Sequence, residues 1–211
     1  MTPTREYSSP ARAANAARTR LLIVQAATEL FVRDGYVATT MQAIAARAEV
    51  SVQSVHLAGP KAAILIAAFE LAFAGDEGRH SLTERPALQE IMGHPDTDAV
   101  LAGYVRFLTE ANKHAAAIVR VMRAASDADP LVRAAFDDLE ERRARDMRLG
   151  AEWMVSRGLI HESAVAMAAD VLGYLTGPDT YLAFVDDRGW TPEWYETWLD
   201  RAIRALILDF Y

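Results

Sequence analysis

The chain has 211 residues, of which 52% are hydrophobic and 24% charged, a globular composition that excludes fibrous and largely disordered classes. It contains no cysteine, which excludes disulfide scaffolds, thiolate metal sites and cysteine nucleophiles. The 11 glycines and 8 prolines are too few for the many tight turns of a β-sandwich or barrel, so helices are favoured.

Charge is distributed unevenly along the chain. The formal net charge is −7, yet residues 1–61 carry an excess of three positive charges. Such asymmetry indicates that one segment meets a polyanion, although a small positive excess is also common on solvated surfaces. No apolar stretch reaches the ~18 residues needed to span a bilayer, and the N-terminus lacks the apolar segment of a secretory signal. We therefore expect a cytoplasmic protein that does not contact a membrane.

The N-terminal third is predicted to contain four helices behind a flexible basic arm at residues 1–17. A first helix begins near Leu21 and ends at Asp34-Gly35, with an apolar stripe at positions 23, 26, 27, 30 and 31. Thr39-Thr40 provides the N-cap of a short second helix, and Ser51 that of a third running to about His56. Pro60 suits the first turn of a fourth helix.

Longer helices follow in the remainder of the chain. The periodicity predicts a helix near residues 87–93, then one from Asp98 to Ala125, and one from Asp129-Pro130 to Ser156. The next begins near residue 162 or 163 and continues, with a kink at Gly177-Pro178, to about residue 185. Thr191-Pro192 opens the last helix, whose predicted inward residues are Tyr195, Leu199, Ala202, Ile203, Leu206, Ile207 and Phe210. The chain is thus predicted to be all-helical.

Residues 39–61 carry the functional pattern. Two short helices joined by a tight turn, the second of which begins with polar residues, form a helix-turn-helix whose second helix can enter the major groove of DNA. In this region the sequence resembles the TetR family of transcriptional repressors. The resemblance rests on Leu30-Phe31, Asp34-Gly35-Tyr36, Thr39-Thr40, Ile44-Ala45, Ala48, Val50-Ser51 and Lys61. Family members usually have glycine at the turn position of Glu49, so a left-handed backbone there would strain this residue by up to ~1 kcal/mol.

The resemblance implies which residues contact DNA. These are Thr40, Gln42, Ser51, Val52, Gln53, Ser54, His56 and Lys61. Gln53 is the candidate for a base contact, because glutamine suits the N6/N7 edge of adenine, while simple solvation is the alternative. Thr40 is a candidate phosphate contact or only a helix cap. Lys61 is a phosphate contact or a solvated surface lysine, and His56 contacts DNA or is a partly buried structural residue.

The resemblance also implies a dimerisation and effector domain. A cavity between the central helices would bind a mostly apolar small molecule, with walls formed by Tyr104, Phe107, Ala111, His114, Met147, Met154 and Tyr174. The pattern of these aromatic and methionine residues indicates first of all core positions, and only the resemblance implies that some of them line a cavity. His114 is either a polar group in that pocket or a core histidine bonded to a carbonyl. The last two long helices would form the homodimer interface, with Leu199 and Ile203 buried between the subunits.

These observations predict a three-part organisation: the arm at 1–17, a helix-turn-helix domain at 18–62, and an effector-binding and dimerisation domain at 63–211. The predicted function is a sequence-specific DNA-binding regulator, a repressor released from a palindromic operator by its effector. The alternative is a helical dimeric structural or interaction protein that has lost specific DNA binding. No nucleophile–base set, glycine-rich phosphate loop or metal-ligand spacing is present, so we expect neither an enzyme nor a cofactor or metal.

Overall fold

The computed structural model describes residues 10–74 and 85–208, and this part of the chain is helical with no strands. Four helices come first: α1 (Pro10–Asp34), α2 (Met41–Arg47), α3 (Val52–Ala58) and α4 (Lys61–Ala74). Helix α1 begins within the predicted arm, so residues 10–17 are helical rather than a flexible arm. The alanine-rich sequence of this segment favours helix, because alanine has the highest helix propensity. Residues 1–9 of the predicted arm lie outside the described residues.

Six more helices make up the rest: α5 (Pro86–Met92), α6 (Thr97–Ser126), α7 (Pro130–Ser156), α8 (Val165–Leu175), α9 (Pro178–Tyr181) and α10 (Pro192–Ile203). Helix α7 begins and ends as predicted, because Asp129 accepts hydrogen bonds from the N–H groups of residues 131 and 132, and Arg157 forms its C-cap. The predicted kink at Gly177-Pro178 separates α8 from α9. Wider helical turns follow α9 and α10, at residues 182–186 and 204–208.

The buried apolar side chains of the described residues form two hydrophobic cores. The first core joins α1–α4 to the second half of α6 and the start of α7, and includes the predicted stripe of α1 with Phe31 fully buried. The second core joins α5, the first half of α6, the second half of α7, and α8–α10, with Leu172 and Tyr195 at its centre. Helices α6 and α7 pass through both cores. A domain boundary after residue 62, as predicted, would therefore separate most of α4 from α1, although both helices belong to the first core.

The last helix packs within its own subunit. Leu199 and Ile203 are 0% and 1% exposed inside the second core, so their predicted place between subunits is wrong. Leu206, predicted to face inward, is 49% exposed, because the wider turns after residue 203 change which side chains face the core. Phe210 lies outside the described residues. Within residues 10–74 and 85–208, no single helix is long and apolar enough to cross a membrane, although α3 and the adjoining α4, bent by 72°, reach that length and composition together.

Candidate functional site

Helices α2 and α3 each begin at a side chain that caps them. Thr40 Oγ1 accepts a hydrogen bond from the Ala43 N–H at 3.1 Å, and Ser51 Oγ accepts one from the Ser54 N–H at 3.1 Å. Both hydroxyls thereby satisfy an N–H group that the first turn of a helix leaves free. The predicted capping by Thr40 and Ser51 is confirmed. Because Thr40 is exposed, its predicted phosphate contact remains compatible with its position as a cap.

The turn between α2 and α3 places Glu49 in the left-handed region, with φ of 55°. The N–H groups of Glu49 and Val50 donate to the carbonyls of Ala46 and Ala45, at 3.3 Å and 3.0 Å, and close the turn. This conformation costs a residue with a Cβ about 1 kcal/mol more than glycine. The left-handed backbone that was considered only as a condition at this position is therefore present.

One face of α3 is turned to solvent. Gln53 and His56 are exposed, Val52 and Ser54 are half-buried, and Val55 is fully buried against the first core. The exposure of His56 excludes the alternative of a partly buried structural histidine. Gln42, on α2, is also exposed. The polar side chains predicted to contact DNA are therefore available on the surface of the helix-turn-helix.

The start of α1 lies beside α3 and extends this surface. A cleft is lined by residues 16, 17, 19, 20 and 23 of α1 and by Ser54, Leu57 and Ala58 of α3. Arg20 Nη1 donates to the carbonyl of Ala58 at 2.7 Å, which ties α1 to the end of α3. Arg12 and Arg18 are exposed on the same stretch of α1. Sequence reasoning missed this contribution, because it assigned residues 1–17 to an arm.

Lys61 is tied to the backbone that leads into α2. Its Nζ donates to the carbonyls of Tyr36 and Thr39, at 2.8 Å and 3.1 Å, and lies 4.2 Å from the centroid of the Tyr36 ring. The alternative of a solvated surface lysine is therefore wrong. An ammonium group has three N–H donors, so one donor is left beyond these two carbonyls. The predicted phosphate contact of Lys61 remains a prediction.

A hydrogen bond links this segment to the start of α7. Tyr36 Oη donates to Asp129 Oδ2 at 2.6 Å, although 93 residues separate the two in sequence. The Tyr36 hydroxyl, more than any other group, lowers the pKa of the Asp129 carboxyl, and the N–H groups of residues 131 and 132 add to this. Burial, followed by the Asp129 carboxylate, raises the pKa of Tyr36. The helix-turn-helix is thus joined to the N-cap of α7 by a charge-assisted hydrogen bond, a strong class of contact.

An apolar cavity of about 280 Å³ lies between α5, α6 and α7. Its walls are Leu88, Gln89, Met92, Tyr104, Asp146, Met147, Leu149, Gly150 and Trp153. Aliphatic, aromatic and thioether groups predominate, with a few polar groups among them, as is usual for a small-molecule site. Pockets of this kind are the default ligand-binding hypothesis in a protein of this architecture.

Two of the three polar side chains on the cavity wall, Tyr104 and Asp146, are buried. Tyr104 Oη lies 3.7 Å from the sulfur of Met147, and burial, with the Asp146 carboxylate, raises the pKa of this phenol. Asp146 is only 7% exposed. Sequence reasoning missed Asp146, because it lies in a run of charged residues, 137–148, whose pattern is typical of an exposed helix face. In the described ranges, His, Asp and Glu side chains form no group of three or more that could hold a metal ion.

The predicted ligand-binding residues fall into three groups. Tyr104 and Met147 line the cavity, and Met154 borders a small void that adjoins it at Tyr104. Phe107 and Ala111 are half-buried and are not among its lining residues. The predicted cavity positions of His114 and Tyr174 are wrong. The His114 side chain is 62% exposed, and the residue Tyr174 is 78% exposed.

The geometry of α6 explains the position of His114. At about 100° per residue, His114 lies roughly 80° from Tyr104 on the side away from the buried Leu101, Val105 and Leu108. It faces Glu110, at 3.7 Å, instead of the core. Neither the pocket group nor the core histidine considered from the sequence is therefore correct. Among the polar residues that α6 does bury is Asn112, whose Nδ2 donates to the carbonyl of Thr176 at 2.9 Å.

Comparisons with known proteins agree with this arrangement. Residues 23–58 match the family described as bacterial regulatory proteins, tetR family. A solved structure described as a TetR-family transcriptional regulator, from Mesorhizobium loti MAFF303099, is 21% identical with a TM-score of 0.69, covering 90% of this chain and 95% of that one. A transcriptional regulator from Pseudomonas aeruginosa PAO1 is 14% identical with a TM-score of 0.70, covering 90% of each chain.

A HlyIIR mutant protein with an internal linker is also similar, at 16% identity and a TM-score of 0.61, covering 90% of this chain and 97% of that one. No curated protein matches the chain. At these identities the structural likeness establishes the fold, and the match at 23–58 identifies the helix-turn-helix. The chain therefore carries the N-terminal DNA-binding domain of the tetR family of bacterial regulatory proteins on the all-helical fold of TetR-family regulators.

Proposed function

We propose that the protein is a homodimeric, sequence-specific regulator that represses transcription and is released from its operator by a small molecule bound between α5, α6 and α7. The observation that carries this proposal is the path of α7. Its N-cap, Asp129, is bonded to Tyr36 next to the helix-turn-helix, and residues 146–153 of the same helix line the cavity. A ligand that displaces α7 therefore acts on the segment that orients α2 and α3.

In this proposal α3 lies in the ~12 Å major groove, and the exposed Gln53 reads a base edge. Thr40 and Gln42 of α2 approach the phosphate backbone with Ser51, Ser54 and His56. Val52 supplies an apolar contact, and the third N–H of Lys61 is directed to a phosphate. The exposed Arg12 and Arg18 of α1 add positive charge on the side of α3 where α1 lies.

The dimer is proposed to form through α8 and α10. Because one helix-turn-helix reads few base pairs, two copies related by a dyad would occupy half-sites about one helical turn apart. Tyr174, Trp194 and Leu206 are 78%, 68% and 49% exposed on or next to these helices. A dimer interface over these helices would remove three large apolar side chains from water. Tyr174→Asp with Leu206→Asp should yield a monomer in light scattering with an unchanged circular dichroism spectrum; a dimer of unchanged mass would contradict this assignment.

Sequence selection from random duplexes by the purified protein tests DNA recognition. We expect a palindromic consensus whose half-sites are about one helical turn apart. Fluorescence anisotropy on that consensus then measures affinity against a shuffled duplex at the same salt concentration, since salt alone changes affinity by orders of magnitude. If no sequence is enriched, the helical dimer without specific DNA binding is the better interpretation.

Release by a ligand is tested with the same consensus duplex. Apolar compounds that raise the melting temperature of the protein are added to the protein–DNA complex. Linkage requires that the two effects be equal. If the ligand lowers the affinity for the operator by some factor, typically 5- to 150-fold, the operator lowers the affinity for the ligand by the same factor. Tyr104→Phe should reduce ligand affinity, whereas Leu131→Ala, at an exposed leucine at the start of α7 outside the cavity, should not. Ligands that fill the cavity without changing operator affinity would leave a constitutive DNA-binding protein.

A further inference from the structure

We infer that the molecule bound between α5, α6 and α7 carries a neutral acceptor oxygen, that the hydroxyl of Tyr104 donates to this oxygen, and that Gly150 keeps the space in front of the hydroxyl free. The inference rests on the proposed function only in treating this cavity as the effector site. Tyr104 and Gly150 both line the cavity and the small void beside it. They face each other there, since a Cβ added to Gly150 would lie 3.9 Å from Tyr104 Oη.

The hydroxyl of Tyr104 donates to a weak acceptor. Tyr104 is 7% exposed, and within the part of the chain that the structure describes its Oη donates to Met147 Sδ at 3.7 Å. A thioether sulfur accepts hydrogen bonds weakly, whereas buried tyrosine hydroxyls usually find a good partner. The hydroxyls of Tyr36 and Tyr195 donate to oxygen atoms, at 2.6 Å and 3.1 Å. Tyr104 therefore gains by exchanging the sulfur for the oxygen of a bound molecule.

The surroundings of Tyr104 favour a neutral oxygen over a charged one. Burial, more than any other cause, raises the pKa of the Tyr104 phenol, so at neutral pH the hydroxyl keeps its proton and acts as a donor. None of the described residues that line the cavity is basic, and Leu88, Met92 and Trp153 are among them. A carboxylate would therefore be buried with no positive partner among these residues, which costs far more than burying a neutral oxygen. The ligand class is an uncharged, mostly apolar ketone, ester, ether or alcohol.

Gly150 is a glycine that the packing of the subunit does not require. It lies inside α7, where glycine destabilises a helix relative to alanine. A Cβ at this position would meet Leu172 Cδ1 at 3.7 Å and Tyr104 Oη at 3.9 Å, which are ordinary contact distances. In α6, by contrast, a Cβ on Gly103 would come within 3.0 Å of Ile91 Cγ2, so glycine there relieves a close approach. Gly150 therefore leaves room for an atom that is not part of the subunit.

The space that a Cβ on Gly150 would fill is the space that a ligand oxygen needs. A hydrogen bond from Tyr104 Oη places the acceptor oxygen about 2.7–2.8 Å away. On the side of Gly150, that oxygen would lie closer to the added Cβ than van der Waals contact allows, because the Cβ is itself 3.9 Å from Oη. Alanine would therefore stabilise the free protein and exclude the ligand oxygen.

Three probes of the same size test the acceptor: 4-phenyl-2-butanone, 3-phenylpropanoate and isopentylbenzene. The rise in melting temperature with probe concentration gives each affinity for the full chain at pH 7 without DNA. Tyr104→Phe should weaken binding of the ketone about fivefold, the size of one neutral hydrogen bond, and leave that of the hydrocarbon within about twofold. The carboxylate should bind most weakly to the unmodified chain. Equal changes for ketone and hydrocarbon, a carboxylate that binds as tightly as the ketone, or a ketone that does not bind would overturn the inference.

Gly150→Ala tests the space in front of the hydroxyl. The variant should raise the melting temperature of the free protein by about 2 °C and lower its affinity for the ketone about fivefold or more. Gly173→Ala is the matched control, because a Cβ on this helical glycine of α8 would also meet an ordinary contact, Met147 Cγ at 3.7 Å, and Gly173 is not a lining residue of the cavity. It should keep the ketone affinity. An unchanged ketone affinity in Gly150→Ala, or a loss of stability in that variant, would overturn the inference.

Operator affinity is measured separately with the same probes. Binding of the ketone to Tyr104 without release of DNA contradicts the proposed function alone. Release of DNA by a ligand whose affinity neither Tyr104→Phe nor Gly150→Ala changes contradicts this inference alone.

Discussion

The candidate functional groups near the two cores differ in their exposure. Those near the first core lie on its outside, at the exposed beginnings and outer faces of α2 and α3. In the second core the corresponding groups, Tyr104 and Asp146, are buried on a cavity wall. A surface built for a large anionic partner can be recognised from local patterns of caps and exposed polar residues. A cavity depends on how three distant helices meet.

The largest effect is expected from Leu199→Ala, which distinguishes packing within a subunit from packing between subunits. Leu199 is fully buried in the second core, so its truncation leaves a void and should cost about 2–5 kcal/mol of unfolding free energy. Leu206→Ala, at a 49% exposed leucine nearby, should cost much less within the subunit. Urea denaturation of both variants, at several protein concentrations, measures the difference. Equal losses would contradict the assignment of Leu199 to the protomer core.

The next effect concerns base recognition by α3. Gln53→Ala should relax sequence preference at one base position in each half-site, by about 1–3 kcal/mol, because a bidentate contact to a base edge is removed. Gln25→Ala, at an exposed glutamine of α1, is the matched control. Sequence selection with both variants provides the measurement. An unchanged consensus in Gln53→Ala would mean that another face of α3 meets the bases.

Tyr36→Phe tests the contact between the two cores. Loss of the hydrogen bond to Asp129 should lower the free energy of unfolding by about 1.5 kcal/mol at pH 7, since the acceptor is charged but partly solvated. Val37→Ala, at the exposed neighbour of Tyr36, should have little effect. In Tyr36→Phe the ligand should also release the operator less effectively. Full ligand response in this variant would contradict the role proposed for α7.

The same variant has a defined pH dependence. Asp129 has a lowered pKa in the folded protein, so its stabilisation is present above the unfolded value of about 3.9 and is lost as the pH falls through the folded value. The difference between Tyr36→Phe and the unmodified chain should therefore be largest near neutral pH and shrink below about pH 4. Thermal unfolding over that range measures it; a difference that grows in acid would exclude Asp129 as the partner.

The smallest effect is expected at the turn of the helix-turn-helix. Glu49→Gly should stabilise the protein by up to about 1 kcal/mol, because glycine adopts the left-handed φ of 55° without strain. Glu49→Ala, which removes the charge but retains a Cβ, is the control. Thermal unfolding of both variants provides the comparison. If alanine stabilises as much as glycine, charge rather than backbone strain explains the effect.

The sequence predicted most helix boundaries because the signals are local. Thr40, Ser51, Asp129 and Thr191 cap the helices that they were expected to cap, since each interaction spans two or three residues. The possibility of a left-handed turn at Glu49 came from the family resemblance, in which glycine is usual at this position. The start of α1 was missed because arginine and alanine were interpreted as an arm, whereas helix propensity there favours helix.

The cavity was predicted only in part because its walls depend on rotational phase and tertiary contact. Tyr104 and Met147 lie where the apolar pattern indicates, but the same pattern on α6 includes His114, on the far edge of the stripe. The bond between Tyr36 and Asp129 joins residues 93 positions apart, and no local pattern indicates it. The sequence offers one signal for a role of Asp146 in the cavity: it is an acid next to Met147, which was predicted to line that cavity.

The continuity of α7 has a mechanical consequence. From Asp129 to Asp146 the helix covers 17 residues, or about 26 Å at 1.5 Å per residue, with no proline after Pro130 at its first position. A stiff rod of that length is a lever: a tilt of about 5° at the cavity moves the far end by about 2 Å, enough to break a hydrogen bond. In the proposed function, the size of a bound molecule would thereby be converted into displacement at a distance, and substitutions that soften α7 near its middle would reduce the response to ligand without changing either end.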